Sequence, residues 1–522
     1  MTIAGLLFLT ASTLSCDSLR TATLPNANAT ITFTQMIEAG PFDPPAAVGA
    51  SNRPQTLTDL PFFCRVSATL RPTSDSDIKI EVWLPILKQE EAAGWNGKFQ
   101  AVGNGGWSGA INYTAMAQAI RRGYATSSTD TGHAGGSGAF ALGHPEKLID
   151  FAWRSEHEMT IAAKALIAAF YGTPAKHSYW VGCSAGGRQG LKEAQKFPQD
   201  YDGIVAGAPA NDWTGRAAQS LRVGQAVRKE AESYIPPAKY RVIHDAVLQA
   251  CDALDGVKDG LIANPVRCRF DPGVLECKSA AGNGTTSDGA AAAAADACLT
   301  RPQVAAARAV YETKLTKTDR EIRGLQPGSE LGWGTWAGPN PFGIGVDHFR
   351  YVVFKNPAWD AKTFNFDEDI ERADEIDHDT INALDPDLQP FFNRGGKMIQ
   401  YHGWNDPQIA PGASVDYYTR VLSALGGHEK VDPSYRLFMV PGMAHCGGGE
   451  GPNTFNMVAA LEQWVEKGQP PAQIIATHLT TEGRIDRTRP LCPYPQVAEC
   501  TGTGSTDDAA NFVCRWPTPS PR

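Results

Sequence analysis

Ser178-Tyr179-Trp180-Val181-Gly182-Cys183-Ser184-Ala185-Gly186-Gly187-Arg188-Gln189 is the stretch whose reading decides the fold. A short apolar run, Ser178 to Gly182, has the composition of a buried strand. Gly182–Gly186 is a Gly-x-Ser-x-Gly pentapeptide, and helix-forming residues follow from Gln189 to Phe197. Strand, sharp turn and helix in that order make a nucleophile elbow, which exposes the serine beside the N-terminus of the helix. The glycines allow the tight turn and close backbone packing. A serine hydroxyl is a weak nucleophile and needs an adjacent base, so the motif asks for a histidine and an acid elsewhere in the chain.

Outward from Ser184 the pattern alternates. Upstream, Cys64–Leu70 and Ile78–Leu84 alternate apolar and polar residues as antiparallel strands do. Lys98–Val102 and Tyr124–Asp130 read as further strands. Tyr113–Arg122 and Ser155–Tyr171 have helical spacing. Downstream, Gly203–Gly207 is a strand closed by Ala208-Pro209-Ala210. The rhythm stops from about Asn211 to Asn393, where aromatics, glycines and prolines mix and Gly282–Ala295 is of low complexity. It resumes with the strand Lys397–Tyr401, a helix over Ser414–Leu425, the strand Tyr435–Val440 and a helix over Phe455–Lys467. The expected fold class is α/β: a mostly parallel sheet with an antiparallel start, formed by 16–210 and 394–522 and interrupted by an insertion over 211–393.

In α/β-hydrolases the serine is followed in sequence by the acid and then the histidine. Asp406 ends KMIQYHGWND just beyond one strand, and His445 lies in VPGMAHC just beyond the next. Both fall at carboxyl ends of strands, as the elbow does. His445 is the expected base and Asp406 the acid that orients it. His402, upstream of that acid, reads as structural or pocket-lining. Cys183 precedes Ser184 and Cys446 follows His445, so a catalytic contact between serine and histidine brings the two cysteines together. A disulfide there closes a loop worth roughly 5 kcal/mol in the chain-entropy model; two buried thiols are the alternative. Oxyanion donors are expected from the Ala185 N–H and from the loop Gly103-Asn104-Gly105-Gly106, where Gly105 and Gly106 both qualify.

The insertion carries Cys251-Asp252-Ala253-Leu254-Asp255-Gly256-Val257-Lys258-Asp259-Gly260-Leu261. Three carboxylates and two glycines in a tight loop suit a hard cation with oxygen ligands, calcium before magnesium, or else a solvated acidic loop.

The chain has 522 residues and a formal net charge of −9. Without a basic cluster it is no nucleic-acid binder, and it has no apolar run long enough for a transmembrane helix. Residues 1–15 resemble a signal-peptide remnant lacking its basic start. Eleven cysteines without a CxxC pair point to structural disulfides and to a secreted or periplasmic setting, with one cysteine left over. Asn28, Asn112 and Asn283 begin N-x-Thr sequons. A monomer and a homodimer are equally compatible with the sequence.

Taken together, these features resemble the tannase/feruloyl esterase family of α/β-hydrolases, from about Cys16 to Cys514. The resemblance rests on Cys183-Ser184, Asp406 and His445-Cys446, and on the GNGGW, APAND, RPLCPYP and DDAANFVC stretches. It implies an α/β-hydrolase fold with a large inserted lid domain over 211–393 and a serine carboxylic ester hydrolase acting on esters of aromatic acids. Feruloyl esterase is the first expectation, with tannase or a terephthalate monoester hydrolase as alternatives. The substrate is then an aromatic ester of plant cell-wall or tannin origin. The resemblance also implies structural calcium held by Asp252, Asp255 and Asp259 side chains and Val257 and Leu261 carbonyls. It implies the pairs Cys183–Cys446, Cys251–Cys268, Cys277–Cys298, Cys16–Cys64 and Cys492–Cys514, leaving Cys500 over. Trp333, Trp336, Phe342, Phe349, Tyr351, Phe354 and Trp359 stack on an aryl acid or form lid core. A non-catalytic hydrolase-fold binding protein and a serine peptidase are the competing classes; the intact triad and the cysteine pattern oppose them.

Overall fold

The computed structural model describes residues 15–46, 55–86, 94–278 and 297–517. The residues expected to form a signal peptide lie outside these except for Ser15, as do Gly282–Ala295 and the Asn283 sequon. The chain divides into two compact units. One comprises the described residues of Met1–Asn104, Ser108–Gly136 and His144–Trp180. The other comprises Gly105–Trp107, Ser137–Gly143 and the described residues of Val181–Arg522.

The first unit is built on β1 (Thr30–Ile37), β2 (Phe63–Leu70), β3 (Ile78–Pro85), β4 (Lys98–Val102), β5 (Ala125–Thr129) and the start of β6 (His177–Cys183). β1, β2, β3 and β5 pair antiparallel in that order, with Cys64 opposite both Met36 and Leu84. β5 then pairs parallel with β4, Gln100 opposite Thr126. The antiparallel start read from the alternation is therefore present. The apolar face of β2 and β3 is fully buried at Val66, Ile80, Val82 and Leu84, which is what a strand covered by helices requires. Asn112 caps helix α1 (Tyr113–Ile120) by accepting the Ala115 N–H, and its amide donates to the Gly103 carbonyl at 2.8 Å. Its sequon side chain is thus committed to the fold. Helix α2 (Ser155–Tyr171) ends at Gly172, whose φ of +70° stops it. Cys16–Cys64 ties the N-terminal turn to β2.

The second unit is built on β7 (Gly203–Gly207), β8 (Lys397–Gly403) and β9 (Tyr435–Val440), all parallel. Met398 lies between Ile204 and Tyr435, and Tyr401 between Gly207 and Phe438. The helices are α3 (Ala185–Lys196), α4 (Trp213–Val227), α5 (Ala238–Cys251), α6 (Arg301–Tyr311), α7 (Phe366–Asp377), α8 (Gly412–Leu425) and α9 (Met457–Lys467). α3 and α9 pack on β7.

Helix α3 starts at Ala185, four residues before propensity suggests. Its glycines are there for contact rather than flexibility: a Cβ on Gly187 would lie 2.3 Å from the Gly207 carbonyl oxygen. Packing on β7 outweighs the glycine penalty of about 1 kcal/mol per residue.

The two units divide the chain elsewhere than at 210 and 393. The segment 211–393 shares its unit with 181–210 and 394–522, and Ala410 belongs to the same apolar cluster as Val247, Val310 and Trp336. Most of the aromatic run is core. Trp333 and Trp336 join that cluster, while Phe349 and Trp359 form another that Phe354 packs against. Cys251–Cys268, Cys277–Cys298 and Cys492–Cys514 are disulfides, and among the described residues only Cys500 is a free cysteine.

Candidate active site

Ser184 stands between β6 and α3 with φ +64° and ψ −122°. A side-chain-bearing residue held there costs about 1–3 kcal/mol, and hydrogen bonds impose the geometry. The Ser184 N–H donates to the Gly207 carbonyl at 2.9 Å, and the Ser184 carbonyl accepts from the Arg188 and Ala210 N–H groups at 3.1 Å each. Gly182 is obligatory, since a Cβ there would sit 2.3 Å from the Gly186 carbonyl oxygen. Ala185 is the first residue of α3, so its N–H has no partner within the helix and points out of the helix end.

The acid and histidine loops leave β8 and β9 and are laced together. The Trp404 N–H donates to the Val440 carbonyl at 2.9 Å, and the Asn405 N–H to the Met443 carbonyl at 3.0 Å. A Cβ on Gly403 would lie 2.2 Å from the Met443 oxygen, so only glycine lets the loops approach this closely. The result places His445 Nδ1 2.7 Å from Asp406 Oδ2.

Asp406 is fully buried. Its Oδ1 accepts the Gln408 and Ile409 N–H groups at 2.8 and 3.0 Å. Its Oδ2 also meets His402 Nε2 at 3.0 Å. Burial raises its pKa, but the charge of His445 and the hydrogen bonds from both histidines outweigh this and hold it well below the usual carboxylate range. His402 Nδ1 is 2.7 Å from Ser414 Oγ. With the Ser414 hydroxyl donating to Nδ1, Nε2 carries the proton toward Asp406. His402 therefore braces the acid and is not available as the base.

Cys183–Cys446 is a disulfide with the two Cα atoms 6.0 Å apart. Two trans peptide steps from it bound the Ser184–His445 Cα separation at about 14 Å. With Nδ1 on Asp406, Nε2 is the nitrogen of His445 left for a serine hydroxyl. Ser184, Asp406, His445 and the disulfide all lie within the second unit, with Ser184 and His445 each adjoining one of the bridged cysteines.

Trp107 follows the glycine loop that is expected to supply an oxyanion donor, and it packs on α4. Its ring lies edge-on to Trp213 at 4.7 Å, and its Nε1–H donates to the Ile344 carbonyl at 3.2 Å. Gly106 has φ +53°, and a Cβ on it would press to 3.2 Å from Ile344. Gly105 is exposed and has nothing near it.

A cavity of about 510 Å³ adjoins the acid loop, lined by Asn211, Arg216, Trp336, Ile409 and Tyr417 among others. Arg216 lies over the Trp213 and Phe342 rings, 4.6 and 5.5 Å from their centres. Burial lowers its pKa to about 10. Sequence reasoning missed Arg216; no periodicity distinguishes it from a surface arginine on α4.

In the acidic loop the carboxylates bind backbone amides. Asp252 accepts the Asp259 and Gly260 N–H groups, Asp255 that of Val257, and Asp259 that of Leu261. Arg489 Nη2 lies 2.6 Å from Asp259 Oδ2. Burial, with the charges of Asp259 and Asp252 adding to it, pushes Asp255 up to about 6. Among the described residues no three His, Cys, Asp or Glu side chains are grouped as metal ligands. Carboxylates and carbonyls are the donor types a hard cation takes, but here the carboxylates are engaged by backbone amides and Arg489.

A family model described as tannase and feruloyl esterase matches residues 64–515. An uncharacterized esterase of Xanthomonas campestris pv. campestris is 34% identical over 98% of this chain and 93% of its own. A probable feruloyl esterase B-2 of Neosartorya fischeri is 35% identical over 87% of this chain and 86% of its own. The crystal structure of feruloyl esterase B from Aspergillus oryzae superposes with a TM-score of 0.86 at 31% identity, covering 96% of this chain and 99% of that one. A tannin acyl hydrolase from Aspergillus niger shares the fold, at 24% identity and a TM-score of 0.77. This chain belongs to the tannase and feruloyl esterase family, with its α/β-hydrolase fold.

Proposed function

We propose that this chain is a serine-dependent hydrolase of esters of aromatic carboxylic acids, with hydroxycinnamate (feruloyl) esters as its preferred class. The observation that carries the mechanism is His445 Nδ1 held 2.7 Å from a buried, ionised Asp406. Ser184 Oγ attacks the acyl carbon while His445 Nε2 takes its proton. The carbonyl electrons move onto oxygen, where the Ala185 N–H and one from Gly105 or Gly106 stabilise the charge. The tetrahedral species collapses, the leaving alcohol departs with the proton from His445, and the acyl group stays on Ser184. Water, deprotonated by His445, then releases the acid. Asp406 keeps its charge throughout and steadies the imidazolium.

Feruloyl esters are favoured over gallate esters because feruloyl esterase B from Aspergillus oryzae matches at 31% identity, against 24% for the tannin acyl hydrolase. The discriminating experiment compares kcat/KM on methyl ferulate, methyl gallate and the terephthalate monoester. A hundredfold preference for the ferulate corresponds to about 2.7 kcal/mol of transition-state stabilisation. The same margin for gallate or terephthalate would reassign the substrate.

Asp252, Asp255 and Asp259, with the Val257 and Leu261 carbonyls, are the proposed holders of a structural calcium ion, which supplies charge neutralisation and loop rigidity. Export to an oxidising compartment is supported by five disulfides. No helix of the described residues is long and apolar enough to cross a membrane.

A further inference from the structure

The loop that carries His445 is held by backbone contacts, one of them from the Ala444 N–H to the Gly448 carbonyl at 3.1 Å, and has few side chains of its own. Gly447, Gly448 and Gly449 follow Cys446 directly, and Cys446, Gly448 and Gly449 all have positive φ. The base of the loop is closed by backbone contact: Gly451 N–H donates to the Gly442 carbonyl, and Met443 bridges Gly449. The Cys183–Cys446 disulfide anchors the residue directly after His445, ahead of the glycine run. On the trailing side the first residue with a side chain after the glycines is Glu450, and it does not point into solvent alone.

Glu450 Oε2 lies 2.8 Å from His244 Nε2, and its Oε1 lies 3.3 Å from Arg241 Nη1. Both partners come from α5. His244 is only 1% exposed, and its other nitrogen, Nδ1, is 2.8 Å from Oε2 of the fully buried Glu330. Glu330 is itself fixed by the Tyr311 hydroxyl at 2.7 Å and the Gly328 N–H at 2.8 Å. Arg241 also lies 3.7 Å from Asp245 on its own helix. The groups facing His244 are therefore two carboxylates, Glu330 and Glu450, with Arg241 about one turn earlier on α5, Asp245 the next residue and Tyr311 behind Glu330.

We infer that the Glu330–His244–Glu450 bridge is a positioning device for catalysis: protonated His244 clamps the trailing side of the His445 loop to α5 and so holds the base in register with Ser184. The inference rests on His445 being the general base. An imidazole set between two carboxylates is doubly charge-paired only when protonated. Burial lowers the His244 pKa, but the hydrogen bond with Glu330 and the close carboxylates of Glu330 and Glu450 outweigh it and raise the value from 6.5 to about 9. The clamp's contribution is then complete below about pH 6.5 and is lost as the pH rises through about 9. Neutral His244 still fills its place but no longer attracts Glu450, so the glycine run loses its tie to α5 and the His445 imidazole loses support on that side. A displacement of one ångström at a catalytic group is enough to cost up to about a hundredfold.

The test is the pH profile of kcat on a neutral aryl ester at saturation, from pH 6 to 10.5, for the wild type and for Glu450→Gln, His244→Gln and Arg241→Ala. Glu450 is partly exposed, so its substitution leaves the fold intact. The wild type should lose activity through pH 9 with KM unchanged. Glu450→Gln should have a kcat about tenfold lower at pH 7.5, KM within twofold, and no fall near pH 9. His244→Gln should behave alike. Arg241→Ala should lower kcat less and keep the fall, because arginine does not titrate there. A Glu450→Gln profile that superimposes on the wild type overturns the inference. Amide exchange across Gly442–Gly451 reads the clamp without turnover and separates its failure from that of the esterase assignment. Exchange should be faster in Glu450→Gln than in the wild type at the same pH, and equal exchange also overturns the clamp.

Discussion

Asp406 meets four hydrogen-bond donors and carries one charge. Two backbone N–H groups saturate Oδ1, while His402 and His445 share Oδ2. Such a carboxylate is held well below the usual range, so it sets no limb of the activity profile near neutrality. Replacing it by Asn keeps the shape but turns a hydrogen-bond acceptor into a potential donor toward His445 Nδ1, favouring the wrong tautomer. Asp406→Asn should lower kcat on the order of 10³- to 10⁴-fold with the thermal midpoint little changed. Steady-state kinetics and a melting curve on the same sample check this; loss below tenfold would remove Asp406 from the acid's role. His402, four residues upstream of Asp406, shows how far a sequence speaks at this scale. Its position in the acid loop is plain in KMIQYHGWND, and its exclusion as base follows from chain order. That it braces the acid depends on Ser414 approaching its other nitrogen, which only the packing of α8 discloses.

At the scale of elements, β6, α3 and the two strand-end loops are separate pieces of chain fastened at one point. Cys183 and Cys446 are 263 residues apart, and their disulfide spans from the elbow to the histidine loop. The chain-entropy value of such a closure is roughly 5–6 kcal/mol. Its functional value is geometric, because the histidine loop has three glycines beside the bridge. Reduction and alkylation under native conditions should reduce kcat by at least about tenfold before the protein unfolds. Free-thiol counting, circular dichroism and activity on one sample provide the check; full activity in a protein with both thiols blocked would separate the disulfide from catalysis. This bridge was legible because each cysteine adjoins a residue whose chemistry demands proximity. The start of α3 was not, because glycine's low helix propensity masks a contact with Gly207 made across the sheet.

For the whole molecule, alternation of strands and helices announced the α/β class, and the break at Asn211 marked where the rhythm stops. The compact units do not follow that break. Interruption of a periodic pattern reports a change in local structure, while a unit is defined by packing, and α4 to α7 bury their apolar faces within the same unit as β7 to β9. The aromatic run of the insertion likewise reads two ways until burial is known, and most of its rings turn out to be core. The acidic loop has the chemistry for calcium at the level of composition, with Asp259 also paired to Arg489. Adding calcium to chelator-treated protein should raise the thermal midpoint by at least about 3 °C, and Asp255→Asn should abolish the rise. No shift in the unsubstituted protein would leave the loop an amide-capping motif alone.

The most direct test of the esterase mechanism is the turnover of methyl ferulate by the wild type and by Ser184→Ala at equal folded concentration, with intact-protein mass spectrometry of quenched reactions. The expected result is hydrolysis by the wild type with a transient feruloyl adduct on the peptide containing Ser184, and a rate at least 10³-fold lower without adduct in the variant. Equal hydrolysis by both proteins, or an adduct on another residue, would contradict the assignment of Ser184 as the nucleophile.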